Sequence, residues 1–272
     1  MKIESVDQAA LEKQLETDST AQIDVSGLEV KKVTLPVSAV NDVLALPQAA
    51  ALSIKMADAA VTLDKTAMQS VVKTANGADI QLHVSTGDAL SNDQAAIIGT
   101  TEQCVVLNVS LTANGTEIHS FNGKVTVSVP FTWTQQGVLQ AWYLADDGTK
   151  EPVEVAYRDG NAVLTLEHFS TYAIVVKTND PDSGIVCLGD NAVTVKKQEN
   201  AVYCAAALYA EDGRFLTYAA SEAAEDEETV TLAWANADWS KAAKVKVFFL
   251  DADRKPIAEA VTALIRGESQ KN

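Results

Sequence analysis

The sequence predicts an α+β protein in two parts. Strand–helix–strand repeats packed with an antiparallel β meander take residues 1–176. A polar linker follows at 177–184, then an all-β sandwich over 185–272. Three observations predict this. A segment near the N-terminus recurs, Val33 onward matching Val61 onward. Apolar alternation with tight-turn dipeptides begins at Cys104. The most continuously apolar stretch, Ala162–Val176, runs straight into the polar Lys177–Gly184.

The repeat comes first. Val33–Leu44 superposes on Val61–Val72, and the match continues without a gap to Leu52–Met56 over Ile80–Val84. A weaker first copy sets Val6–Leu11 over Leu35–Val40 and Ile23–Val25 over Leu52–Ile54, with almost the same offset. The period is 28 residues, 29 for the weaker copy, and a fixed period of this kind marks a supersecondary unit that cannot bury its apolar face alone. Within the unit, Val-Thr-Leu alternates as a strand. Pro36 or Asp64 then opens a helix, proline as a first-turn residue and aspartate as a cap. Val37, Val40, Val43 and Leu44 recur at helical spacing, as do Ala67, Met68, Val71 and Val72. Gly77 ends the second helix and a strand follows.

From Cys104 the chain reads as β. Val105–Leu111 and Lys124–Pro130 alternate, with a tight turn at Asn114-Gly115 between them. Val138–Leu144, Val153–Tyr157 and Val163–Leu166 follow, divided by Asp147-Gly148 and Asp159-Gly160, and Tyr172–Val176 closes the domain. His168–Thr171 lies between the last two strands. Beyond the linker, strands are expected at 185–188, 192–196, 202–209, 215–219, 229–234, 244–250 and 257–264. That size and spacing fit an immunoglobulin- or fibronectin-like module.

The composition excludes several classes. Nearly half of the 272 residues are hydrophobic, so the chain is globular. No run approaches the roughly 18 apolar residues that span a bilayer. Met1-Lys2-Ile3-Glu4 carries no signal-peptide h-region, which fits either a cytosolic protein or a segment excised from a secreted one. A net charge of −16 argues against nucleic acid and against an anionic membrane surface, since both need clustered Lys and Arg. Cys104, Cys187 and Cys204 form no C-x-x-C, and the three histidines are scattered, so local spacing assembles no metal site. Phosphate-loop, dinucleotide and nucleophile-elbow motifs are missing as well. No cofactor is expected. Sequons occur at Asn108 and Asn114.

Several segments together resemble a module of secreted Gram-positive (Firmicutes) cell-surface proteins, often adjacent to S-layer homology repeats. They are Val61–Asp64, Ala89–Ala96, Val109–Ile118, Phe121–Pro130 and His168–Ala173. Ala207–Arg214 and Val245–Asp251 resemble the small β-module that closes such proteins. The resemblance implies an extracellular or cell-surface setting and a non-catalytic scaffold or adhesion role. Its implied partners are other surface or wall components, glycans among them. The S-layer homology repeats themselves do not occur here, so direct wall anchoring is not implied.

Four groups are candidates for chemistry. His168-Phe169-Ser170 is similar to the junction cleaved in self-processing domains of the ZU5 kind, where the serine hydroxyl attacks the preceding carbonyl with histidine as base. The plainer reading is a strand corner with Phe169 in the core and Ser170 bonding local backbone. Trp234, Trp239, Tyr209 and Tyr218 are candidates for an aromatic platform for sugar rings, against burial in a sandwich. Glu222 and Glu225–Glu228, or Asp180 and Asp182, carry carboxylates of the kind that hold Ca²⁺, but no calcium-loop motif is present and a solvated charge run is expected. Cys187 and Cys204 suit either a bridge or two buried thiols, and the apolar residues beside them favour thiols. The favoured function is therefore a scaffold or adhesion segment, not an enzyme. A carbohydrate-binding module and a domain self-cleaving at Phe169–Ser170 are the alternatives.

Overall fold

A computed structural model describes residues 1–3, 5–87, 90–101, 103–133, 137–177, 184–189, 191–234 and 241–266, with the backbone alone at 186–189 and 266. Most of the expected linker, 178–183, falls outside these. The chain divides into two compact units. One comprises Met1–Ile98, Val105–Thr132 and Ala141–Ile174; the other comprises Gly99–Cys104, Trp133–Gln140 and Val175–Asn272.

The elements run in order α1 (Gln8–Leu15), β1 (Thr20–Asp24), β2 (Lys32–Leu35), α2 (Val37–Ala45), β3 (Ala51–Lys55), β4 (Ala60–Asp64), α3 (Lys65–Ala75), β5 (Ile80–Thr86) and α4 (Asn92–Ile98). Then come β6 (Gln103–Ala113), β7 (Thr116–Glu117), β8 (Ser120–Pro130), β9 (Gly137–Leu144), β10 (Lys150–Val153), β11 (Val155–Arg158), β12 (Asn161–His168) and β13 (Thr171–Lys177). The chain is mostly β, an α+β fold with antiparallel sheets in which β1 runs parallel to β3.

In the first unit one sheet has the order β1-β3-β4-β8-β12-β11, and a second set runs β2-β5-β6-β13-β9 with β10 on β9. The residues expected to form repeat strands pair between the two segments. Val33 faces Leu82 and Leu35 faces Ile80, while Val61 faces Ile54 and Leu63 faces Leu52. Each helix buries a stripe: Val37, Ala39, Val40 and Val43 in α2, and Ala67, Met68, Val71 and Ala75 in α3. These stripes meet Leu35, Leu52, Ile54, Leu63, Ile80 and Leu82 around a residual void of about 20 Å³ that Phe169 also lines.

The two helices begin differently. Asp64 caps α3, its Oδ1 accepting from Ala67 N at 2.7 Å. Its Oδ2 accepts from Lys124 N at 2.9 Å, which ties the helix start to β8. Pro36 opens α2 with no side-chain cap. Gly123 sits against the Asp64 cap at φ +94, where an added Cβ would lie 2.4 Å from Ala67 N and 2.4 Å from Asp64 Oδ1. Only glycine combines that backbone with that approach.

The expected meander does not form. β6 turns at Asn114-Gly115 into the short β7, with Ala113 facing Thr116, and β8 then joins the other sheet between β4 and β12. Alternating valines fix which face of β8 is buried but not its neighbour, and in the sheet Val61 and Leu63 of β4 stand opposite Val127 and Val125. α4 was not anticipated from the sequence. Its apolar residues, Ala95–Ile98, are consecutive and make no helical stripe, and only Ile98 is buried.

The second unit contains β14 (Ile185–Gly189), β15 (Ala192–Lys196), β16 (Tyr203–Tyr209), β17 (Phe215–Glu222), β18 (Thr229–Ala233), β19 (Lys244–Leu250) and β20 (Val261–Arg266). The sheet β14-β15-β18 and the strands β17-β16-β19-β20 contribute to one core in a sandwich-like arrangement. That core is built on Val193, Val195, Cys204, Leu208, Val247 and Phe249. β20 starts later than Ile257. The turn Asp251–Lys255, with Arg254 at φ 61, leads into Pro256, which has no N–H for a ladder and makes only an isolated bridge to Leu250. Among the described residues no helix is long and apolar enough to cross a membrane.

Candidate functional site

The corner between β12 and β13 is where the sequence placed its only covalent chemistry. It is narrower than expected, because β12 runs to His168 and β13 starts at Thr171, leaving Phe169 and Ser170 as the turn. Phe169 is buried and packs on Phe121, ring centroids 4.8 Å apart. Its N–H donates to His119 O at 3.0 Å, and Ser170 O accepts from Val109 N at 2.9 Å. The corner is thus stitched to β6 on one side and to the β7–β8 connection on the other. Neither Phe169 nor Ser170 has a positive φ.

His168 and Ser170 line different pockets. Ser170 opens on a pocket of about 220 Å³ with Thr171, Asn108, Ser110, Glu117 and His119. Thr171 Oγ1 donates to Asn108 Oδ1 at 2.7 Å. The histidine on that side is His119, whose Nε2 lies 2.9 Å from Glu117 Oε2 with both side chains exposed. No hydrogen bond joins Ser170 to either histidine among the described residues.

His168 faces a second pocket of about 120 Å³ walled by Tyr143, Tyr172, Glu151, Glu154 and Glu167. Three rings meet there. Tyr143 stands edge-on to His168 at 4.3 Å, His168 stacks on Tyr172 at 6.0 Å, and Tyr143 and Tyr172 are 6.0 Å apart. The Tyr172 hydroxyl donates to His168 O and lies 3.3 Å from His168 Nδ1. Burial, with the Tyr143 phenol and the Glu167 carboxylate nearby, pushes the Tyr172 phenol well above its ordinary value.

The chain matches no protein-family model and no curated protein.

The aromatic candidates separate. Trp234 is buried in the core of the second unit, and Trp239 lies outside the described residues. Tyr209 and Tyr218 share one face of the paired strands β16 and β17, because Tyr209 faces Phe215 and Tyr218 faces Ala207. Tyr218 is 67% exposed and Phe215 is 52% exposed. Lys244 and Lys246 sit 6.0 and 5.9 Å from the Tyr209 ring.

In the acidic run, Glu227 Oε2 accepts from Ala224 N at 3.2 Å, and Lys197 Nζ donates to Ala224 O. No three metal-ligating side chains converge among the described residues. Asp180 and Asp182 are not among those described. Cys204 is a buried free thiol and Cys104 a half-buried one, and desolvation raises both above the usual thiol value. The side chain of Cys187 is outside the described set.

The ring cluster leaves no signal in the sequence. Its members sit at positions 143, 168 and 172, on three strands, and no spacing along the chain announces that they meet. The alternation of β9 was legible, but not that β10 would set Glu151 opposite Tyr143.

Proposed function

We propose that this chain is a non-catalytic scaffold or adhesion segment of a bacterial cell surface. On this reading its first unit is built on the repeat that sets Val33 over Val61, and its second is an immunoglobulin- or fibronectin-like module. The observation that carries the proposal is the corner at Phe169–Ser170. The one triplet suited to peptide-bond cleavage has Phe169 in the core, Phe169 N bonded to the β7–β8 connection and Ser170 O bonded to β6, which supports a packing and pairing role. Register supports the repeat. Setting Val33 on Val61 and Ile54 on Leu82 interchanges the pairs Val33–Leu82 and Val61–Ile54. The resemblance to secreted surface modules and the acidic, well-solvated exterior support the setting.

Antibody labelling of intact source cells tests the location, and staining confined to permeabilised cells would count against it. Intact mass after prolonged incubation tests the chemistry. One species near 28.9 kDa is expected. Two fragments meeting at Phe169 and Ser170, lost in Ser170→Ala, would overturn the scaffold reading in favour of a self-cleaving domain.

The outer face of β16 and β17 supports a second reading, a carbohydrate-binding module. Tyr218 and Phe215 present exposed rings there beside Tyr209 and two lysines. Such a face, apolar in its rings and polar at its rim, suits sugar stacking better than the buried Trp234 does. A glycan array decides it: glycans retained by the wild type and lost in Tyr218→Ala support this reading, and an array without hits removes it.

A further inference from the structure

We propose that the pocket formed by Tyr143, His168 and Tyr172 binds a methylated ammonium group, and this proposal does not depend on the scaffold reading. Its lining joins three aromatic rings to three carboxylates, Glu151, Glu154 and Glu167, and includes no lysine or arginine. A cation held near ring faces is attracted by their quadrupoles, and aromatic cages use this to select quaternary ammonium. Carboxylates at the rim add a long-range pull toward positive charge.

The opposite face of the same strand pair shows the contrast. Lys150 Nζ lies 4.5 Å above the Trp142 ring, so that face supplies its own cation. On the pocket face, Glu151 stands opposite Tyr143 in the ladder, and an acid takes the place that a lysine holds behind it.

The polar atoms of the floor choose between kinds of ammonium. The Tyr172 hydroxyl is engaged with His168 O and lies beside His168 Nδ1. At the buried end, therefore, Tyr172 offers its ring and an engaged hydroxyl, and the carboxylates stand on the exposed side chains Glu151, Glu154 and Glu167. A primary ammonium reaching the rings would leave part of its hydration unreplaced, since the carboxylates are exposed and Tyr172 is engaged, whereas a trimethylammonium head has no N–H to satisfy. A volume of about 120 Å³ holds several waters, enough for such a head but not for a large ring system. Tyr172 is buried and His168 is held by it, so the site is formed before a ligand arrives.

Tetramethylammonium chloride is the first probe, titrated into the full chain by proton NMR against equal sodium chloride. Upfield ring-current shifts of the methyl signal are expected, saturating with a Kd on the order of millimolar. Tyr143→Leu should weaken binding by about 3- to 30-fold, the span expected for one cation–π contact. Glu151→Gln with Glu167→Gln should weaken it by a smaller factor that shrinks as salt rises. Thermal melting of each variant checks that the fold is kept. If Tyr143→Leu does not fold, the wild-type ranking of tetramethylammonium against methylammonium still decides. Methylammonium binding as tightly or more tightly overturns the proposal, as does wild-type binding that Tyr143→Leu leaves unchanged. A trimethyl-lysine peptide and free choline then separate a protein side chain from a small molecule as the source of the group.

Discussion

Two segments of similar sequence, Lys32–Lys55 and Ala60–Thr86, both run strand, helix, strand, yet they are held in different ways. The second is fastened at its helix start. Asp64 accepts hydrogen bonds from Ala67 N and Lys124 N, and Ser70 Oγ accepts from Asn122 N at 3.1 Å, so α3 is bolted onto β8. The first opens on Pro36 and has no such tie at its cap. Similar apolar patterning therefore accompanies the same element order, while Asp64 and Ser70 tie only the second segment's helix to the neighbouring strand β8. What the two segments share is the core between them, and what distinguishes them sits at its edge.

The largest expected effect strikes the shared part. Phe169→Ala removes a buried ring from the space both segments line, and should destabilise the protein by about 3–5 kcal/mol. Denaturant unfolding measures it, and hydrogen exchange should speed up in α2 and α3 alike. Exchange rising in one helix alone would show that the core is not common to both.

Gly123→Ala should act on one segment only. A Cβ there meets Ala67 N and the Asp64 carboxylate in a backbone at φ +94. Overpacking costs roughly 1–3 kcal/mol and a left-handed residue roughly 1–2, so a loss of about 2–4 kcal/mol is expected. Exchange should rise in α3 more than in α2.

Exchanging the helix starts is gentler. Asp64→Ala should cost about 1–2 kcal/mol, from the lost cap and the stranded Lys124 N–H. Pro36→Asp, which copies the cap into the first segment, should change stability by less than about 1 kcal/mol, in the stabilising direction. Equal losses from Asp64→Ala and Pro36→Ala would erase the contrast.

The smallest effect concerns the link from β1 to β3. Asp24 accepts from Ser26 Oγ at 2.6 Å, from Ser26 N at 2.9 Å and from Lys55 Nζ at 3.1 Å. These bonds, those from Ser26 first, lower its pKa from 3.8 to about 2. A lowered folded value favours the native state above the ordinary carboxylate range, and that contribution disappears as pH falls through about 2. Ser26→Ala should return Asp24 toward 3.8 in a carboxyl NMR titration.

The parts legible in the sequence are those written in periodicity. The apolar spacing of Val37, Val40 and Val43, the cap at Asp64 and the valine alternation of β8 each dictate a local element. Pairing is not written there, because alternation says which face is buried and not which strand lies beside it. That is why β8 left the expected meander for β4. The role of Gly123 was hidden for a related reason. A glycine has no side chain to enter a pattern, and its need appears only once Asp64, far back along the chain, is in place.

The crossed pairing of β2 with β5 around β3 and β4 has a consequence for the order in which the chain is made. Leu52 and Leu63 are close in sequence, so the β3–β4 hairpin can close as soon as it leaves the ribosome. Val33 must wait for Leu82, which at roughly 5–20 residues per second is a delay of about 2–10 s. During that interval the edge of β2 that will take β5 has no partner, and a nascent chain stalled between Thr62 and Ile80 would expose its unpaired backbone groups for as long as the stall lasts. Synonymous codons that slow translation over that stretch, without altering a single residue of the product, should lower its soluble yield.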